Sequence, residues 1–212
     1  MEGYIFDLDG VLTDTARFHY QAWKVLADEL GIPFTLSDNE KLKGISRRDS
    51  LEYLLKLGDV QLPEEEILKL MTQKNALYLR LIETLTADDL LPGVKRYLEL
   101  LQSAGKLIIL GSASKNAVPI LEKLNVLGYF HVVVDGTHVE KAKPDPQVFL
   151  LGAERAGLKP NQCLVFEDSE AGICAAKAAG MLAVGVGTAE ELSGADIRIT
   201  TFETEAALAL IR

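Results

Sequence analysis

Two carboxylates one residue apart, Asp7 and Asp9, close a short apolar run, Tyr4-Ile5-Phe6. In extended backbone, residues i and i+2 point to the same side, so both acids can face one pocket. Gly10 lets the chain turn sharply behind them. Far along the sequence, Leu164-Val165-Phe166 ends in a second acidic pair, Glu167-Asp168. If these two runs are neighbouring strands, four carboxylates meet at one edge of a sheet. Uncompensated, such a cluster would force protons onto some of its members. A hard divalent cation removes the repulsion, and Mg²⁺ prefers a few carboxylates together with waters and substrate phosphate. The plainer alternative is a solvated acidic rim that holds no metal. With a metal and phosphate present, a carboxylate can attack phosphorus and split one difficult displacement into two easier ones.

Two further residues stand where such chemistry needs them. Ser112 follows the apolar run Leu107–Leu110, and its hydroxyl and the next backbone N–H groups can donate to a phosphate near a helix start. Helix capping is the competing role. Lys143, in Lys-Ala-Lys-Pro-Asp-Pro, precedes a helix and can neutralise phosphate oxygens; a solvated loop lysine is the competing role.

These residues need a scaffold. Strand-like runs at Tyr4–Phe6, Leu107–Leu110, Val132–Val134, Cys163–Phe166 and Leu182–Val186 alternate in the later chain with helices near Asn116–Leu124, Pro146–Ala156 and Glu170–Ala179. Repeated βα units of this kind predict an α/β fold, a parallel sheet covered by helices on both faces. Asp145-Pro146 predicts a helix start with Asp as N-cap and Pro at the first position. After Pro92-Gly93, Val94, Tyr97, Leu98 and Leu101 space as a helix up to Gly105.

Residues 14–84 carry no convincing strand. Phe18, Ala22, Val25, Leu26 and Leu30 recur at helical spacing up to Gly31. Ser46 is placed to cap a helix carrying Leu51, Leu54 and Leu55. Pro63 opens a long helix whose first turn holds Glu64, Glu65 and Glu66, where the helix dipole favours anions; its expected apolar stripe includes Ile67, Met71, Leu77 and Leu81. The expected organisation is therefore a core of residues 1–13 and 85–212 with a helical cap, 14–84, inserted over the carboxyl ends of the strands, where open α/β sheets bind ligands.

The 212 residues suit one globular domain with a modest insertion. Hydrophobic residues are 48% and charged residues 25% of the chain, enough to bury a core. A formal charge of −9 argues against nucleic acid and anionic membranes as partners. No basic leader or long apolar segment is present, and Cys163 and Cys174 read as reduced, buried thiols, so a cytoplasmic location is expected.

In chain order, Asp7-Leu8-Asp9-Gly10, Ser112 after a strand, Lys143-Pro144 before a helix and Glu167-Asp168 after a strand resemble the haloacid dehalogenase superfamily of phosphotransferases over nearly the whole chain. The resemblance implies a Rossmann-like doubly wound sheet. It makes Asp7 the nucleophile and Asp9 the general acid and base. It places Mg²⁺ on the side chains of Asp7 and Asp168 and the backbone carbonyl of Asp9, with Glu167 supporting that site. Ser112 and Lys143 would hold the transferring phosphate.

Within that superfamily, the run from Phe6 to Ala16, His19, Leu42-Lys43-Gly44-Ile45-Ser46-Arg47-Arg48-Asp49-Ser50, Lys74-Asn75 and Ser112-Ala113-Ser114-Lys115-Asn116 resemble the β-phosphoglucomutase family. Members interconvert β-D-glucose 1-phosphate and glucose 6-phosphate through β-glucose 1,6-bisphosphate, which also serves as primer. The resemblance implies that Arg47 grips the phosphate not being transferred, with Ser114 and Asn116 beside it. Gly44, Ser50, Lys74 and Ala113 complete the substrate contacts. Thr15 lies at the hinge, and His19 engages Asp9 on closure. Arg48 departs from the family pattern, which has an acidic residue after the clamp arginine. Each cap residue also has a plain role: His19 as a helical histidine, Arg47 as an ion-pair partner on its own helix. A sugar-phosphate phosphatase of the same superfamily and a non-catalytic sugar-phosphate binder are the rival functions. A small sugar phosphate is the expected partner, and a monomer the expected assembly.

Overall fold

Six short strands carry the apolar runs: β1 (Gly3–Phe6), β2 (Leu107–Gly111), β3 (Val132–Val134), β4 (Cys163–Glu167), β5 (Leu182–Val186) and β6 (Ile197–Ile199). They form one all-parallel sheet in the order β3-β2-β1-β4-β5-β6. The computed structural model of the chain describes residues 1–42, 45–188 and 190–211. Its helices are α1 (Ala16–Glu29), α2 (Leu36–Glu40), α3 (Arg47–Leu57), α4 (Glu64–Ile82), α5 (Val94–Ser103), α6 (Ala117–Lys123), α7 (Gln147–Arg155), α8 (Glu170–Ala178) and α9 (Glu205–Ala209).

Side chains alternate across a strand, and here both faces are buried, so the strands read as unbroken apolar runs. Tyr4, Phe6, Leu110 and Phe166 pack on one face with α5, α6 and α9. Ile5, Ile109, Val165 and Ala183 pack on the other with α7 and α8. The doubly wound sheet expected from the repeated βα units is therefore present. The strand order reverses between β1 and β4, and at such a switch point the loops part and leave a crevice at the carboxyl ends of the strands. Both acidic pairs lie there.

Helices α1, α3 and α4 enclose their own cluster, centred on Trp23, Leu26, Leu51, Leu54 and Ile67. The ends of α1 and α4 nearest the sheet, through Phe18, Ala22, Tyr78 and Ile82, join the first sheet cluster instead. The two connections to the sheet run side by side: Leu91 N–H donates to the Leu12 carbonyl at 2.9 Å, and Thr13 Oγ1 donates to the Asp89 carbonyl at 2.7 Å.

Several expectations need correction. The buried stripe of α4 is Ile67, Leu70, Lys74, Tyr78 and Ile82; Met71, Leu77 and Leu81 lie on its flanks, half-buried. Helix α7 starts one residue late, with Pro146 at the N-cap, although Asp145 Oδ1 still accepts from Gln147 N–H at 3.0 Å. Cys163 is buried as expected but Cys174, on the outer side of α8, is exposed. Strand β6 and helices α2 and α9, each of five residues or fewer, went unpredicted. No described helix is long and apolar enough to cross a membrane.

Ser46 caps α3 as its position implied, its Oγ accepting from Asp49 N–H at 3.1 Å. Ser46→Ala should cost about 1 kcal/mol of stability in urea unfolding, and Ser46→Asp should keep most of it.

Candidate active site

The pairing of β1 with β4 runs to their ends, Phe6 opposite Phe166, and Asp7 N–H donates to the Phe166 carbonyl at 3.0 Å. Asp7 and Glu167 therefore emerge level with one another. Lys143 reaches in between them: its buried Nζ donates to Asp7 Oδ1 at 2.6 Å and Glu167 Oε1 at 2.5 Å. The other Glu167 oxygen, Oε2, accepts from Ser169 N–H and Oγ at 3.0 and 2.9 Å. Ser169 in turn caps α8 through Gly172 N–H. A Cβ on Gly172 would fall 1.8 Å from the Glu167 carboxyl carbon, so glycine alone admits this approach. Both Glu167 oxygens are thus engaged within the protein.

Burial pushes the Asp7 carboxyl up, against the pull of Lys143 and with the push of Glu167. Burial pulls the Lys143 ammonium down, but Asp7 and Glu167 outweigh it and hold it above the ordinary lysine value. Asp9 is pushed up to about 7 by burial and then by Asp7, while Lys74 and Lys143 pull the other way. Its Oδ1 is buried with no protein partner. Thr15 Oγ1, His19 Nε2 and Tyr78 Oη are buried and unpartnered too, and with Asp9 they make four of the five such atoms among the described residues.

A cavity of 340 Å³ opens between the sheet edge and helices α1, α3 and α4. Asp7, Asp9, Ser112 and Asp168 line it from the sheet side; His19, Arg47, Ser50 and Lys74 line it from the helical side, and Ala113, Ser114 and Asn116 from the loop after β2. The structure brings these predicted site residues together. Ser112 Oγ accepts from Ser114 N–H at 3.1 Å and Ser114 Oγ from Asn116 N–H at 3.2 Å, which winds that loop around the cavity. Lys143 sits beneath, bonded to Asp7, and Thr15 is the fully buried N-cap of α1. Gly44 lies outside the described residues.

Lys74 is buried on the apolar stripe of α4. Its Nζ is 2.8 Å from His19 Nδ1 and lies 4.8 and 4.7 Å from the ring centres of Trp23 and Tyr78. Burial and then Arg47 pull this ammonium down to about 7, with Asp9 opposing. Burial, then Lys74 and Arg47, drive His19 well below the usual histidine value. Its Nδ1 faces Lys74, and its Nε2 has no protein partner. Arg48, the departure from the family pattern, spends its charge outward on Glu52 and Glu64. Arg47 instead donates to the neutral Asn75 Oδ1 at 2.7 Å.

The donor set fits a hard divalent cation. Burial first and neighbouring carboxylates second raise the Asp7 and Asp9 carboxyls, and a cation placed between them would oppose both effects. Gly10, at φ +80°, carries the loop so closely under Asp168 that a Cβ there would meet its Oδ2 at 2.0 Å, which fixes that carboxylate beside the Asp7–Gly10 turn. No three His, Cys, Asp or Glu side chains converge as a ready-made cage among the described residues. A magnesium site needs no such cage, because it completes its shell with carbonyls, waters and phosphate. Asp7, Asp168 and the Asp9 backbone carbonyl would hold the ion.

Sequence reasoning missed Trp23 and Glu140 as lining residues and Tyr78 as a neighbour of the site, and it named Lys115 and Asn75 within motifs without giving them a role. One signal for two of them was available: His19 and Trp23, like Lys74 and Tyr78, are i,i+4 pairs on one helix face.

Comparison with known proteins agrees with this geometry. A family model described as a haloacid dehalogenase-like hydrolase matches residues 1–180. The chain is 47% identical over 199 residues to a β-phosphoglucomutase of Bacillus subtilis, covering 93% of this chain and 88% of that protein. It is 33% identical over 183 residues to a phosphorylated carbohydrates phosphatase of Thermotoga maritima, covering 85% and 82%. The crystal structure of a β-phosphoglucomutase from Clostridium difficile superposes with a TM-score of 0.95 at 38% identity, covering 100% of this chain and 96% of that one.

The buried Lys74 has a measurable cost. Between about pH 7 and the ordinary lysine value, the unfolded chain holds a proton on this group that the folded chain has released, so stability rises with pH across that window and the full penalty is felt below it. Lys74→Met should therefore stabilise the fold by roughly 2–4 kcal/mol near about pH 6 and by much less near about pH 10, read from urea midpoints at the two values.

Proposed function

The chain belongs to the haloacid dehalogenase-like hydrolase family, and we propose that within it the protein interconverts β-D-glucose 1-phosphate and glucose 6-phosphate through β-glucose 1,6-bisphosphate and a phosphorylated Asp7. The observation that carries this reading is the guanidinium in the cavity. Lys143 serves the phosphate at Asp7, while Arg47 lines the same space with no carboxylate paired to it among the described residues. A bisphosphate that presents either end to Asp7 needs such a grip on the other, and a guanidinium fork suits it.

In the first half-reaction, an oxygen of the sugar's free hydroxyl attacks phosphorus on Asp7, the aspartyl oxygen leaves, and Asp9 takes the hydroxyl proton. The bisphosphate turns over. Asp7 then attacks its other phosphate, and Asp9 returns the proton to the departing sugar oxygen. Lys143, the Ser112 hydroxyl and the Ala113 backbone N–H stabilise charge on the equatorial oxygens. A bound Mg²⁺, one per chain, supplies the rest of that charge neutralisation.

Favouring a sugar hydroxyl over water by ~1,000-fold requires about 4 kcal/mol of barrier difference. We assign that discrimination to residues 14–84 acting as a cap hinged at the paired connections near Thr13 and Leu90, with Thr15 and His19 setting Asp9 once a sugar phosphate fills the cavity. A monomer is the assembly we propose. The phosphatase reading keeps the same core but gives Arg47 no partner.

With β-glucose 1-phosphate, Mg²⁺ and a trace of bisphosphate, glucose 6-phosphate should accumulate with little free phosphate. Stoichiometric phosphate release would replace this reading by the phosphatase. Asp7→Asn should lower turnover by roughly 10,000-fold or more, whereas a non-catalytic binder would lose little function.

A further inference from the structure

Asn75 follows Lys74 on α4 and touches neither the acidic cluster nor Lys143. Its side-chain carbonyl does something no neighbouring group does. Asn75 Oδ1 accepts from Arg47 Nη2, at the start of α3, at 2.7 Å and from Asn116 Nδ2, at the end of the β2 loop, at 2.9 Å. One oxygen with two lone pairs thus joins the helical side of the cavity to the sheet side.

The chemistry of that oxygen matters as much as its position. Asn75 is the one side chain hydrogen-bonded to Arg47 among the described residues, and it is neutral. A carboxylate there would hold the guanidinium as well but would spend its charge, as Glu52 and Glu64 do for Arg48. An amide oxygen orients the fork through one N–H and leaves its charge and its remaining donors to an incoming dianion.

We propose that Asn75 is a positioning residue that aims Arg47 at the remote phosphate of the substrate and ties that grip to the Ser112–Asn116 loop, so that seating the remote phosphate and closing the helical segment are one event. This rests on the two-phosphate reading above and adds to it the residue that couples the grip to closure. Two features are required of Asn75: an acceptor in this place, and no charge on it.

The two substitutions that separate these features are Asn75→Leu, which removes the acceptor, and Asn75→Asp, which keeps it and adds charge. Trp23 is the sole tryptophan and lines the same cavity, so its fluorescence can report binding without turnover. Both variants should weaken glucose 6-phosphate binding and raise KM for β-glucose 1-phosphate by roughly 10- to 100-fold, with a smaller change in kcat. Phosphorylation of Asp7 by acetyl phosphate, which brings nothing to the remote position, should suffer a penalty at least about tenfold smaller. Wild-type affinity in Asn75→Asp would overturn the proposal, because a mere tie between elements tolerates the charge. Equal losses with acetyl phosphate and with sugar phosphate would also overturn it, as would wild-type affinity in Asn75→Leu. If the wild-type protein binds glucose 6-phosphate but converts no β-glucose 1-phosphate, the mutase reading fails while the fluorescence titrations still decide the role of Asn75.

Discussion

A buried ammonium shared by two carboxylates organises this molecule. Lys143 lies between Asp7 and Glu167, and all three groups are shut away from solvent. Removing one member of such a set typically costs about 3–5 kcal/mol, because it leaves an uncompensated charge in a poor dielectric. The surrounding fold is arranged to keep the set intact. Strand β1 pairs with β4 to its last residue, Ser169 caps α8 and satisfies Glu167, and Gly172 lets that helix press against the carboxylate. Yet Lys143 is shared by Asp7 and Glu167, and Asp9 Oδ1 beside them has no protein partner. This acidic cluster makes the site receptive to a hard cation and, through it, to a phosphate.

The helical side of the cavity breaks the ordinary rules in a related way. Burying polar atoms without partners is costly, and Asp9 and His19 each carry one beside the acidic loop. A lysine on an apolar stripe, held by an imidazole and two aromatic faces, adds to that cost. Local rules of this kind are broken where function requires it, and the fold elsewhere compensates. Here the compensation is the double-faced sheet core, whose strands contribute alternate side chains to two separate clusters.

Much of this was legible in the sequence because it depends on short-range signals. Tyr4-Ile5-Phe6 followed by Asp-Leu-Asp-Gly specifies a buried strand and a tight acidic turn without reference to anything distant, and Ser46 and Pro63 mark helix starts by their own chemistry. Strand β6 was not legible: Ile197-Arg198-Ile199 is too short to show a period, and its pairing depends on β5. The true face of α4 was missed because Lys74 reads as solvated until His19, Trp23 and Tyr78 are seen around it. Asn75 stood in a segment of the family resemblance but without a role, since its partners are 28 and 41 residues away and only the folded chain brings them together. The acidic pairs were the reverse case. They too are distant, but four carboxylates at the ends of apolar runs narrow the options so far that their meeting could be anticipated.

The central claim is that Asp7, held level with Glu167 by Lys143, takes the phosphoryl group. The direct measurement is peptide mapping by mass spectrometry of the protein quenched in acid during turnover with Mg²⁺ and acetyl phosphate or β-glucose 1,6-bisphosphate. The account predicts one phosphoryl group per chain, on the peptide that contains Asp7 and located to that residue. A phosphoryl group on Asp9 or Ser112, or turnover with no covalently bound phosphate at any quench time, would contradict it.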